Sequence, residues 1–302
     1  MRYKGLDLNL LVALDRLLAE KSVSKAAKSL HLTQSATSGA LSRLREHFND
    51  ELLIRLGRSM VLTPRAIELQ GAVRNSLMQI DGTILTRPDF DPATAQRDIS
   101  IVASDYMTIA LLSDALAKIG RVAPGLHFSI QLPGADPRGQ IERGEVDFLV
   151  MPDVYSSANH PSISLMREGY RAVVWEHNTI VRDDITLQML LDLPHVAVRF
   201  PNAGPTYEGW VIERYSKDLS VEVEVGSFSA VPFLLVDTNR VALMHERLAK
   251  IFAKMLPLRL LPCPVDIPPI QEIVQWNLYN SNDACMIWVR DQLVNAAGVL
   301  DL

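Results

Sequence analysis

The chain has 302 residues, of which 48% are hydrophobic and 22% charged, which excludes a disordered tail and predicts two or three domains. Its two cysteines exclude a disulfide-stapled secreted fold and a zinc site, and the lack of a signal-peptide cleavage site or of ~18 consecutive apolar residues predicts a cytoplasmic protein with no membrane partner. The net charge of −5 divides unevenly, because residues 1–65 carry eleven Lys/Arg against six Asp/Glu, a net +5, and the remainder carries −10. This asymmetry is typical of a basic nucleic-acid-binding head on an acidic body, although chance clustering of solvated charges would give the same count.

Three short helices are predicted in the first fifty residues. Asp7 can cap the first helix, which has an apolar stripe, and the second runs from Ser22 to Leu30. Thr33 is a good N-cap for the third. The residues expected to face inward on this third helix are Ala36, Ala40, Leu41, Leu44 and Phe48. The tight turn before Thr33 predicts a helix-turn-helix motif.

The third helix carries the candidate DNA contacts, because the second helix of such a motif enters the major groove with its N-terminus first. Glutamine can pair with adenine through two hydrogen bonds, whereas Ser and Thr reach either phosphate or bases. The DNA-binding residues predicted on and beside this helix are Thr33, Gln34, Ser35, Thr37, Ser38, Arg43 and Arg45. The alternative is a plain three-helix packing unit whose polar face is merely solvated.

A two-stranded wing is predicted next, because apolar runs over 52–56 and 59–62 flank Gly57 and Arg58. Arg55 and Arg58 near its tip are predicted to meet the DNA backbone or the minor groove.

Thr63-Pro64 begins a long helix, predicted as the linker over 64–90. Its apolar residues recur every three or four positions and form a narrow seam: Ala66, Leu69, Val73, Leu77, Ile80 and Ile84. The seam favours a dimerising linker. An amphipathic helix lying on its own domain fits the same pattern.

From residue 97 onward, predicted strands and helices alternate, which indicates a parallel sheet. The predicted strands cover 99–103, 127–132, 146–151, 172–175, 195–200, 221–225, 240–244 and 273–278.

Taken together, these motifs resemble those of LysR-type transcriptional regulators. The likeness rests on Ala26-Ala27, on Thr33-Gln34-Ser35-Ala36 and on Thr63-Pro64. Residues 1–15, 146–153 and 274–276 are similar to the NodD-like branch, the flavonoid-responsive activators related to regulators of aromatic and chloroaromatic catabolism. Ser35 departs from many relatives, which carry proline there.

The resemblance implies a mainly α winged helix-turn-helix over 1–63, a long linker helix over 64–90, and an α/β two-lobe periplasmic-binding-protein-like effector domain over 91–302. Lobe one would hold 97–166 and 268–302, lobe two would hold 167–267, and the ligand would lie between them. Ligands in such sheets bind beyond the carboxyl ends of strands.

We therefore expect the effector-binding residues on loops that follow strands: Ser104, Asp105, Asp136, Arg199, Asn202, Gly204, Thr206 and Phe228. Taken singly, each of them is more often a helix cap or an ordinary loop residue. Arg199 could equally pair with a local carboxylate, and His245 is expected to be a structural histidine.

The predicted function is that of a DNA-binding transcriptional activator gated by a small aromatic or phenolic inducer. Its predicted partners are double-stranded promoter DNA, a second copy through the linker helix, a homotetramer through the sensing lobes, and RNA polymerase, with no cofactor or metal. The alternative is a solute-binding protein of the same two-lobe architecture, which would need an export signal and no basic head. An enzyme is disfavoured because nucleophile-elbow, dinucleotide, P-loop and metal motifs are missing from the sequence.

Overall fold

The computed structural model describes residues 2–3, 6–7, 9–57, 59–83, 90–200, 206–215 and 219–300. The N-terminal elements are β1 (Arg2–Tyr3), β2 (Leu6–Asp7), α1 (Asn9–Glu20), α2 (Val23–Ser29), α3 (Gln34–Phe48), β3 (Leu53–Leu56), β4 (Ser59–Leu62) and α4 (Pro64–Thr83). We call the elements from α1 to β4 the head.

The head is a helix-turn-helix with a wing, as predicted. Its helices begin where short polar side chains accept backbone N–H groups: Ser22 Oγ accepts from Lys25 N, and Thr33 Oγ1 accepts from Ala36 N at 3.2 Å. The strands β3 and β4 pair antiparallel, and Gly57 turns between them with a φ of +61°, a conformation that glycine adopts without strain.

The inward face of α3 differs from the prediction by one position. Thr37 is fully buried while Ala36 is exposed, so Thr37, Ala40, Leu41 and Leu44 form the packed stripe. These four positions follow the spacing of one helix face. Burial of Thr37 is tolerated because its hydroxyl donates to the carbonyl oxygen of Thr33, four residues earlier, at 3.1 Å.

The linker helix α4 lies on its own head. Ala66 and Val73 are buried in the head core, and Leu69 and Leu77 pack against it. The packing of these four residues is that expected of the amphipathic-helix alternative, and a role of α4 in dimerisation stays a prediction. Ile84, the last residue of the predicted seam, lies outside the described residues.

The helix α4 also contacts the following domain. Arg74 Nη1 donates to Asp15 Oδ2 of α1 at 3.0 Å, and Arg74 Nε donates to the carbonyl oxygen of Gly144 at 3.1 Å. Gly144 has a φ of +63°, and a Cβ at this position would collide with Met78 on α4. We call the contacts of Arg74 with Asp15 and Gly144 the linker junction.

The remaining chain forms two five-stranded sheets with flanking helices. The elements are β5 (Arg97–Ala103), α5 (Asp105–Met107), α6 (Ser113–Val122), β6 (Leu126–Gln131), α7 (Pro137–Glu142), β7 (Phe148–Pro152), β8 (Ser162–Glu168), β9 (Tyr170–Trp175), α8 (Leu187–Asp192), β10 (His195–Val198), α9 (Tyr207–Glu213), β11 (Val221–Val225), α10 (Val231–Leu235), β12 (Val241–His245), α11 (Glu246–Ala253), β13 (Leu258–Pro262), β14 (Ile270–Trp276) and α12 (Ala284–Leu300).

Lobe one is built on the sheet β6-β5-β7-β14-β8, and lobe two on the sheet β11-β10-β12-β9-β13. In lobe one, β5 runs parallel to β6 and β7, while β14 runs antiparallel to β7 and β8. In lobe two, β10 runs parallel to β11 and β12, while β9 runs antiparallel to β12 and β13. The predicted two-lobe α/β fold class is confirmed, although the sheets are mixed rather than purely parallel.

The chain passes between the lobes twice, from β8 to β9 through Gly169 and from β13 back to β14. Neither β8 nor β13 was among the predicted strands. In the part of the chain that the structure describes, no helix is both long and apolar enough to cross a membrane.

Candidate functional site

The outer face of α3 presents the polar side chains expected to read DNA. Gln34, Ser35, Ser38 and Arg43 are exposed, while Thr33 is exposed and caps the helix. The N-terminus of α3 therefore offers short donors and acceptors on an unobstructed face. Thr37 is removed from this predicted set because it is buried in the head.

Arginines around the wing have different roles. Arg45 donates from Nε to the carbonyl oxygen of Glu51 and from Nη2 to that of Leu53, both at 2.8 Å, so it ties α3 to the wing instead of facing DNA freely. Arg55 is exposed, and its Nε donates to the carbonyl oxygen of Gly57 at 3.1 Å. Arg58 lies outside the described residues.

A cavity of about 370 Å³ lies between the lobes, beyond the end of β5. Lobe one contributes Ser104, Tyr106, residues 133–138, residues 150–152, Tyr155, Ile270 and Glu272. Lobe two contributes Tyr170, Phe200, residues 206–208, Phe228 and His245. This volume and this mainly apolar lining, with several aromatic rings, are typical of a small-molecule site.

Aromatic rings surround His245 on the cavity wall. Tyr106 stacks on the imidazole with a centroid distance of 4.0 Å and an interplanar angle of 5°, and Phe228 meets it edge-on at 4.7 Å. Burial lowers the pKa of His245 to about 3, so this ring is neutral at physiological pH.

Buried carboxyl groups form the polar part of the cavity and its immediate surroundings. Glu168, behind the wall, accepts a hydrogen bond from the Tyr106 hydroxyl at 2.7 Å and pairs with Arg247 at 3.1 Å. Glu208 is hydrogen-bonded by Thr206 and by Tyr170, whose hydroxyl also lies 3.4 Å from His245 Nε2. Glu272 is 1% exposed.

Burial weakens the acidity of these groups. It raises the pKa of Glu208 to about 7, and burial together with the nearby charge of Glu168 raises the pKa of Glu272 to about 8. At neutral pH the Glu272 carboxyl is therefore mainly protonated and can donate a hydrogen bond.

A pH series is expected to detect Glu272. In the unfolded chain its pKa returns to about 4.5, so the folded state binds its proton more tightly and stability falls as pH rises until the folded group ionises near pH 8. Glu272→Gln is expected to remove this contribution, which is at most ~1.4 kcal/mol per pH unit for one group. The free energy of unfolding, measured in urea, should therefore increasingly favour the variant over the wild type as the pH rises from 5 to 8.

The matched control is Glu213→Gln, because Glu213 is exposed on α9. Its unfolding free energy should run parallel to that of the wild type across the same pH range. A constant difference between Glu272→Gln and the wild type would contradict a buried, protonated Glu272.

Four of the predicted effector residues line the cavity: Ser104, Asp136, Thr206 and Phe228. Ser104 also caps α5, and Asp136 caps α7 while pairing with Arg143 at 3.0 Å. Hydrogen bonds from the N–H of Gly139 and from Arg143 lower the pKa of Asp136.

The other predicted effector residues have different positions. Asp105 is not among the lining residues; its carboxylate accepts from Phe228 N at 3.1 Å and from Ser229 N at 2.7 Å, which joins the lobes. We call this contact the interlobe tie. Arg199 pairs with Glu224 at 2.9 Å away from the cavity, which is the local carboxylate alternative. Asn202 and Gly204 lie outside the described residues.

Sequence reasoning missed Tyr106, Tyr170, Glu208 and Glu272 as cavity residues, and treated His245 as structural. The sequence signal for Glu272 is an acidic residue in the strand β14, between the apolar residues Ile270 and Ile273. Tyr170 and His245 carry no comparable local signal, because strands from different parts of lobe two bring them together.

Comparison with known proteins identifies the family. Residues 8–67 match the bacterial regulatory helix-turn-helix proteins of the lysR family. Nodulation protein D 2 of Rhizobium tropici is 39% identical over 302 residues, which cover 99% of this chain and 96% of that relative.

Solved structures share the same fold. A probable transcriptional regulator from Pseudomonas aeruginosa is 28% identical with a TM-score of 0.70 and covers 97% of both chains. Full-length OxyR from Pseudomonas aeruginosa is 15% identical with a TM-score of 0.77 and covers 95% of this chain and 94% of its own. With a relative 39% identical across almost the whole of both chains, the protein belongs to the lysR family of DNA-binding transcription regulators, in the group of nodulation protein D, and is not an enzyme.

Proposed function

We propose that this regulator is a cytoplasmic activator of transcription that responds to a small aromatic or phenolic inducer in the interlobe cavity. The observation that carries the proposal is the cavity itself, which both lobes line with aromatic rings and hydrogen-bonding groups. A solute-binding protein, the alternative, is disfavoured by the helix-turn-helix head and by the family membership.

The proposed partners are double-stranded promoter DNA and further copies of the chain, with RNA polymerase contacted at the promoter. A two-fold dimer would present two α3 helices to successive major grooves, and a tetramer would bring together two such pairs. Because four of the predicted seam residues pack on the head, we assign dimer contacts to the exposed side of α4, where Ala72 and Ser76 lie.

The proposed gating follows from the contacts that surround the cavity. A ligand changes the output only if it binds one conformation more tightly than another, and a ligand that touches both lobes favours one lobe arrangement. The interlobe tie connects lobe two to α5, and the linker junction connects lobe one to α4 and α1. A change in lobe arrangement can therefore reach the DNA-binding head through these hydrogen-bonded contacts.

Ser104→Leu tests the proposed site. A bulky apolar side chain at the cavity wall should occupy ligand volume and remove the cap of α5, so the response to inducer should be lost. The DNA is a genomic fragment that the wild-type protein binds. Bending of this fragment is measured by gel mobility, with and without each member of a panel of flavonoids and simple phenols.

Ser113→Leu is the matched control, because Ser113 is an exposed serine at the start of α6 away from the cavity. It should respond to inducer as the wild type does. An equal response in Ser104→Leu and the wild type would place the inducer site elsewhere.

A further inference from the structure

The charged groups that line the cavity are mostly acidic. They are Asp136, Glu208 and Glu272, against the single lining cation Arg138 within the described residues. Arg138 is exposed and already donates from Nε to the carbonyl oxygen of Tyr155 and from Nη2 to that of Val154, at 2.8 and 2.7 Å. A buried anionic ligand would therefore meet two buried carboxyl groups without a buried cation to balance it.

Two residues of the cavity wall each hold one polar atom without a partner among the described residues. These atoms are Glu272 Oε2 in lobe one and His245 Nδ1 in lobe two, and the two residues are 1% and 4% exposed. Buried polar atoms in proteins are nearly always hydrogen-bonded. Glu272 and His245 both line the same cavity, so a ligand bound there can supply a partner that the protein leaves missing.

We propose that Glu272 is a specificity-determining residue of the interlobe cavity, which hydrogen-bonds an uncharged hydroxyl of the ligand and excludes ligands that carry a carboxylate. The proposal rests on the proposed function, because it requires that the cavity bind a ligand. It goes further by assigning the selection to one side chain.

The surroundings of Glu272 support this role. Glu168 on β8 and Asp153 after β7 are the charged groups that raise the pKa of Glu272, in addition to its burial. The Glu272 carboxyl thus stays mainly neutral and can donate. Because Arg247 offsets the charge of Glu168, the Asp153 carboxylate is the charge that would repel a ligand anion. The hydroxyl of a phenol can both accept from Glu272 and donate to a nearby acceptor, whereas a carboxylate can only accept.

The test uses the full chain with 2-naphthol and 2-naphthoate, which share their rings and differ in the hydroxyl or the carboxylate. Calorimetric titration at pH 6.5 up to millimolar concentrations should show 2-naphthol binding to the wild type, with 2-naphthoate at least roughly tenfold weaker. Equal or tighter binding of 2-naphthoate would overturn the inference and leave the proposed function standing. Binding of neither probe would contradict both.

Two variants separate the role of Glu272 from a general effect on the cavity. Glu272→Gln keeps a neutral donor of the same size, so its affinity for 2-naphthol should stay within about threefold of the wild type. Glu272→Met keeps the volume without the donor and should weaken 2-naphthol binding by roughly tenfold.

Melting temperatures of both variants report folding, and Met in place of a buried acid is not expected to unfold the domain. Unchanged 2-naphthol affinity in Glu272→Met would overturn the inference but not the proposed function. An equal loss of 2-naphthol affinity in the Gln and Met variants would have the same consequence.

Discussion

Leu77→Asp is expected to unfold the head rather than only to separate two subunits. Leu77 on α4 packs against the head core beside Val73. Leu77 is partly buried, so a carboxylate there loses the apolar contact with the head core and favours displacement of α4 from the head, at a cost of about 2–4 kcal/mol. Because whole domains are stable by only about 5–15 kcal/mol, this loss would be severe in a small head.

The measurement is urea unfolding of the full chain, followed by proteolysis of the head and by retention on heparin. The variant should show early cleavage within 9–57 and weak retention, while the lobes unfold at the wild-type urea concentration. An intact head with a smaller particle by light scattering would contradict this prediction and return the seam to a role in dimerisation.

Ala72→Asp is the matched control on the same helix, because Ala72 is exposed. Its effect on head stability should stay within about 0.5 kcal/mol. If subunits pair through the exposed side of α4, as proposed, the same variant should shift light scattering toward the monomer.

Asp105→Ala is expected to weaken ligand binding and to loosen the contact between the lobes. Asp105 holds two backbone N–H groups of lobe two, those of Phe228 and Ser229. Hydrogen bonds to a charged group contribute about 1.5–3 kcal/mol each, and Phe228 is itself part of the cavity wall. We expect the affinity for 2-naphthol to fall by roughly tenfold or more.

Amide hydrogen exchange provides the direct measurement, since the N–H groups of Phe228 and Ser229 should exchange faster in the variant. Asp114→Ala is the control: Asp114 is also acidic in the first turn of a helix, but its pair with Lys118 is on the surface. The control should change neither exchange nor affinity. Unchanged exchange at both amides in Asp105→Ala would show that the interlobe tie does not hold the lobes.

The head was predictable because its signals are local. Ser22 and Thr33 cap helices through contacts three residues along the chain, and Gly57 turns the wing between adjacent strands. The error at Ala36 and Thr37 has a physical cause. Polarity alone placed threonine outside, whereas the hydroxyl of Thr37 is satisfied by the carbonyl group of its own helix.

The cavity was only partly predictable. Ser104, Thr206 and Phe228 lie at element ends, where the general rule for α/β sheets places ligands. Tyr170 is the first residue of strand β9, His245 is the last residue of β12, and Glu272 lies within β14. Their convergence depends on the antiparallel pairing of β9 with β12 and on the return of β14 to lobe one, which are long-range contacts without a sequence pattern.

The interlobe tie has an evolutionary consequence. The carboxylate of Asp105 accepts hydrogen bonds from main-chain N–H groups, so the tie does not depend on which side chains occupy positions 228 and 229. Substitutions that change the chemistry of the cavity wall can therefore accumulate while the closing contact is retained. A descendant of this protein could come to recognise a new molecule without having to rebuild the means by which its lobes close.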